Sequence, residues 1–413
     1  MTLILLFDPF DGKWLSEEWL ASAVSIGITY VVFIMGVPAL VFQTFIPDEL
    51  RSIYNKRFPI SWRPFITQMG LIFFLFWLSS PYRLYQYQFN EYSSYLVLAG
   101  VAFLLIVGWF YLYATFKSSR NIEQRLFKKI AQDAMNQYKE HRKLDESCLD
   151  DLRTMAQVLP AGKTKNDFLA QCERILEFLL LNLPSDKDTK VIGQLLEESV
   201  CRSIIYDGTK FNHENINKTL DILFLTYNQA NKILAETDDS KGAYLNTTIG
   251  NCMKEIGVKA MKNNDLAAVM DAVEKLGAIE STAREMFVLG DEAIKHNHIT
   301  TAVTVIKKLR GKVPSNFKSF QKLNPEDSRN LFSWLGLVSK LCIQNGSAGE
   351  FAHRQANNVF KPFGENKKEV QSLLKSAQAH YYGLADFSTI DALRALEITM
   401  FPVPTRKPST KPE

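Results

Sequence analysis

The chain has 413 residues, 46% of them apolar, and a formal net charge of +4, enough for a large core or more than one domain. So small a charge, with no dense basic stripe interleaved with aromatics, argues against nucleic acid as a partner. The five cysteines (Cys148, Cys172, Cys201, Cys252, Cys342) include no Cys-x-x-Cys, which argues against a zinc knuckle or a dithiol redox motif and for buried thiols in a reducing compartment.

In chain order, residues 3–7 are apolar but too short for a signal peptide and lack a preceding base, so 1–19 is expected as an external N-terminal segment. Uncharged runs follow at 19–47, 64–82 and 92–116. Roughly 20 apolar residues cross a bilayer, so the runs predict three transmembrane helices at about 20–46, 64–82 and 93–116. Flanking basic residues number one (Lys13), four (Arg51, Lys56, Arg57, Arg63), one (Arg83) and, over 117–143, eight. That alternation predicts a multi-pass protein of a bacterial inner membrane or its equivalent, with its N-terminus outside and its C-terminal domain cytosolic. The lipid bilayer is then a partner, and Ala23-x-x-x-Gly27 allows homo-oligomers through the spans.

Residues 117–144 read as a stalk helix, with Ile122, Leu126 and Ile130 every fourth position. From 145 to 400 the pattern predicts helices only, with clear periodicity over 168–181, 191–205, 216–234, 331–343 and 370–381. Asn324-Pro-Glu-Asp is a helix start: a capping Asn, a proline at the first helical position, and acids in the first turn. The proline-rich 401–413 is expected to be disordered. The fold class is therefore all-α, three spans followed by a helical-repeat, solenoid-like domain.

Two stretches support the repeat. GVKAMKNNDLAAVMDAVEKL (257–276) and GDEAIKHNHITTAVTVIKKL (290–309) lie 33 residues apart with six identities in twenty positions. The apolar pairs Met261/Ile294, Leu266/Ile299, Met270/Val303 and Val273/Ile306 give each unit two helices joined by a polar turn. The unit resembles a degenerate tetratricopeptide repeat. Ile256-Gly257 and Leu289-Gly290 stand for the Leu-Gly pair, Ala302 and Leu309 for crossing positions, and Pro314 for the terminal proline. Val269, Ser281, Leu276 and a period one residue short depart from the pattern. A third unit is expected over 338–360, with Leu341, Cys342 and Asn345 matching Ala260, Met261 and Asn264. The resemblance implies a groove that binds a protein or peptide.

No catalytic motif survives inspection, so no enzyme and no cofactor is expected. Ala161-Gly-Lys-Thr looks like the end of a phosphate-binding loop, but the first glycine it needs is Gln157. His213-Glu214 lacks the second histidine of a zinc motif, because position 217 is Asn, and Asp207-Gly208 reads as a turn. His353 and His380 stand alone. His296 and His298, beside Asp291 and Glu292, are at most a surface metal site; the register places them in the inter-helix turn, with His298 at or next to the N-cap. The leading functional expectation is a membrane-anchored adaptor or sensor that binds a protein partner on its cytosolic side. The alternative is an oligomeric pore-forming effector, of a defence or toxin-like kind, gated by that domain.

Overall fold

The computed structural model describes residues 48–58, 122–183, 189–205, 212–234, 239–314, 323–344, 346–361 and 367–401 continuously, and scattered positions between 22 and 117. Every regular element among them is helical. The chain divides into two compact units, Met1–Ile130 and Ala131–Glu413.

In the first unit, α1 (Asp48–Arg57) buries Leu50 and Ile53 at helical spacing, and the Tyr30 hydroxyl donates to the Leu105 carbonyl at 3.2 Å. Among the described residues no helix is long and apolar enough to cross a membrane. That finding overturns the three-span fold expectation and the integral, multi-pass placement with an outside N-terminus. An uncharged run is only a composition; crossing requires one uninterrupted apolar helix that satisfies its own backbone. The helix described without interruption before residue 117, α1, is ten residues long and carries five charges. Segment 1–19, nearly all of 64–82, Asp207-Gly208 and the tail from 402 lie outside the described residues.

The unit boundary falls inside α2 (Ile122–His141). The second unit continues with α3 (Glu146–Val158), α4 (Lys163–Leu181) and α5 (190–205), whose middle, Leu196–Cys201, widens into a π-helical turn. Then come α6 (His213–Leu234), α7 (Asp239–Lys262), α8 (Leu266–Ala278), α9 (Ala283–Lys295), α10 (Ile299–Lys312), α11 (Pro325–Cys342), α12 (Ser347–Phe360), α13 (Lys367–Gly383) and α14 (Phe387–Met400).

From α7 to α10 the helices form two stacked pairs. α7 packs on α8 and α9 on α10; α9 also packs on α7, and α10 on α8, so like lies on like. The close approaches come from glycine. A Cβ on Gly257 would lie 3.3 Å from Ala272 in its own pair and 3.1 Å from Leu289 in the next. At Gly290 the same neighbours recur one unit on: Val305 at 3.1 Å and Leu337 at 2.6 Å. Leu276 and Leu309 are wholly buried.

α11 touches α9, α10, α12, α13 and α14. A helix with neighbours on every side must be apolar nearly all round, and Trp334, Leu335, Leu337, Val338 and Leu341 are all at 0% exposure. Its start is capped as the sequence predicts, with Asn324 Oδ1 accepting from Asp327 N at 2.7 Å.

Two inter-helix turns share one construction. Asn264 (φ 57°) and Asn297 (φ 59°) sit in the left-handed region. The next residue's amide reaches back five positions, Asp265 to Ala260 at 3.0 Å and His298 to Ala293 at 2.7 Å. These bonds satisfy carbonyls that a helix end otherwise leaves open. A third copy joins α13 to α14, with Ala385 at φ 55° and Asp386 N bonded to the Tyr381 carbonyl at 3.1 Å. At the expected third unit, α11–α12, the left-handed residue is Gly346 (φ 85°); Asn345 is outside the described residues.

Candidate functional site

The histidine pair is part of a turn. His296 is the C-cap of α9, Asn297 the left-handed residue and His298 the N-cap of α10. His296 Nε2 lies 3.7 Å from Glu292 Oε2, but the adjacent acids are engaged by lysines. Lys295 reaches Glu292 at 2.8 Å and Asp291 at 3.0 Å, and Lys340 reaches Asp291 at 2.6 Å. The bond to Glu292, then that to Asp291, raises the Lys295 pKa. Among the described residues no three His, Cys, Asp or Glu side chains cluster as a metal would need.

The other motif fragments serve packing. Gly162 N donates to Asn215 Oδ1 at 2.7 Å, and Asn215 Nδ2 returns a bond to the Gly162 carbonyl at 3.0 Å. The amide that a phosphate loop would offer to its ligand is thus spent in clasping α4 to α6. His213 Nδ1 lies 2.8 Å from Asp265 Oδ2, tying the start of α6 to the α7–α8 turn.

A cavity of about 290 Å³ opens between the first helices of successive pairs, α7, α9, α11 and α13. Arg284 from α9 and Arg329 from α11 stand exposed at it. Arg329 Nε donates to the Pro325 carbonyl at 3.2 Å, but among the described residues neither guanidinium has a carboxylate partner. This sets them apart from Arg153, Lys218, Lys275, Lys295, Lys308 and Lys340, which are all ion-paired. Glu326 is occupied otherwise, its Oε1 accepting from both the amide and the hydroxyl of Ser281 at 3.0 Å.

The wall is aromatic. Tyr381 is buried, lies tilted against Phe287 at 5.2 Å between ring centroids, and donates its hydroxyl to the Phe332 carbonyl at 3.0 Å. His380 lies beside it, its pKa lowered first by burial and then by the charges of Arg284 and Arg329, so the ring is neutral near pH 7. Asn330, 5% exposed, lines the same cavity, and its Oδ1 has no hydrogen-bond partner. The arrangement therefore offers two unpaired cations, an aromatic wall and a polar floor. No paired acid and base, and no activated nucleophile, accompanies them among the described lining residues.

Of the candidate site residues named from sequence, His380 belongs to this cavity; the sequence shows it only as a lone histidine. His296, His298, His213 and Gly162 lie elsewhere. Arg284 and Arg329 escaped notice because no motif links them: they come from separate helices and meet only through the stacking of α9 on α11. Neither a family model, nor a curated protein, nor a solved structure matches this chain.

Proposed function

We propose that the chain is a helical-repeat binding scaffold, not an enzyme, and that the cavity between α7, α9, α11 and α13 receives a segment of a protein partner. The observation that carries this reading is the pair Arg284 and Arg329, exposed without a carboxylate partner among the described residues and converging on one cavity with an aromatic wall. Carboxylates on the partner would meet the guanidinium groups, and an adjoining apolar side chain would lie against Phe287 and Tyr381. Arginine and aromatic side chains recur where binding energy concentrates in protein interfaces. The stacked pairs and the recurrent glycine contacts at Gly257 and Gly290 support treating the unit as tetratricopeptide-like.

The test is selection of a displayed random-peptide library on the full chain. Acidic residues next to an aromatic or aliphatic one should be enriched, and R284E/R329E should lose those peptides by about a hundredfold, as expected when two charge-assisted contacts reverse. Enrichment without acidic bias, or binding unchanged in the variant, would refute the assignment.

A further inference from the structure

Helix α14 packs on α11 and α13 through Thr389, Ile390, Ala392, Leu393 and Leu396, and the opposite stripe is bare. That stripe is Phe387, Asp391, Arg394 and Ile398, spaced four, three and four, so the four side chains share one helix face. Phe387 and Ile398 are 61% and 65% exposed. Asp391 and Arg394 pair with each other at 3.3 Å, with side chains 74% and 64% exposed. Tyr382, 71% exposed, meets the Phe387 ring edge-on at 6.2 Å and widens the apolar end.

We propose that this stripe joins two copies of the chain about a two-fold axis, α14 lying antiparallel on α14. The order apolar, acid, base, apolar is its own complement when reversed. One axis between Asp391 and Arg394 brings Phe387 against Ile398 of the second copy and Asp391 against Arg394 of the second copy, twice each. This is the self-complementarity an isologous contact requires. A parallel pairing would set Asp391 on Asp391 and Arg394 on Arg394, so the two central charges fix orientation and register, as polar seam positions do in coiled coils. The exposed intrachain pair is held too weakly to resist exchange. The contact is small, so the dimer forms in a concentration-dependent way. Arg284 and Arg329 are not part of it, and the proposal does not depend on what the cavity binds.

Sedimentation velocity of the full chain tests it. The wild-type protein should shift with concentration toward twice the 47.1 kDa chain mass. Asp391→Arg leaves only cations at the seam centre and Arg394→Asp only anions, so each variant alone should dimerise at least about tenfold more weakly. Mixed in equal amounts, the two variants should pair with each other, and the double exchange D391R/R394D should dimerise like wild type. Recovery in the mixture or in the double exchange also shows that the single variants fold. A wild-type chain that stays monomeric up to its solubility limit overturns the proposal. So do single variants that dimerise normally, or a mixture and a double exchange that both stay monomeric.

Discussion

Three glycine-to-alanine substitutions separate helix propensity from close packing, because the glycines are all helical but meet different surroundings. Alanine gains about 1 kcal/mol over glycine in a helix interior and about half that near an end. At Gly311, in the last turn of α10, a Cβ meets nothing within 4 Å, so G311A should stabilise by about 0.5 kcal/mol. At Gly257 the nearest atoms are at 3.1 and 3.3 Å, a few tenths inside ordinary carbon contact, and the resulting strain should cancel the gain, leaving G257A near neutral. At Gly290 the Cβ would lie 2.6 Å from Leu337 Cδ1 and 3.1 Å from Val305 Cγ1. Both side chains are at 0% exposure between three helices and have nowhere to withdraw. Overpacking of this kind costs about 1–3 kcal/mol, so G290A should lose roughly 1 kcal/mol net. Urea unfolding, read at the midpoint with unchanged slope, orders the three variants. A G290A protein as stable as G311A would show that the α9–α10–α11 crossing does not need glycine, and the account of the stack would fail there.

Two further outcomes follow from the same unit. Lys340, 9% exposed, holds Asp291 at 2.6 Å and lies over the Phe287 ring at 5.4 Å, so K340A should cost about 3 kcal/mol in urea unfolding, and adding D291N should return part of it. Ala385 occupies the left-handed position that Asn fills in the two equivalent turns, so A385G should raise the free energy of unfolding in urea by about 1 kcal/mol, and N297G by less.

Legibility from sequence divides by the range of the forces involved. Asn324-Pro325 announced its helix start because the cap bond reaches only three residues forward. His298 reads from the sequence as at or next to an N-cap because its polar turn recurs at Asn263-Asn264-Asp265, and the structure closes that turn over five residues, Ala293 to His298. The matching α13–α14 turn stayed hidden: its left-handed residue is Ala385, and alanine carries no turn signal. The uncharged runs before residue 117 spelled membrane spans by composition, whereas no helix described there has the length and apolarity to cross a bilayer.

The sequence by itself determined that residues 145–400 would be helical, where several helices begin and end, and the 33-residue echo that pairs α7–α8 with α9–α10. Those features rest on backbone hydrogen bonds and apolar periods a few residues long. Only the tertiary structure decided that α11 would be the buried hub, that α14 would lie on it with one stripe bare, and that Arg284, Arg329, His380 and Tyr381 would share a cavity. Those placements depend on how side-chain volumes interlock between helices far apart in the chain, with Gly290 and Gly336 setting how near the helices come. That complementarity leaves no periodic trace in the order of residues.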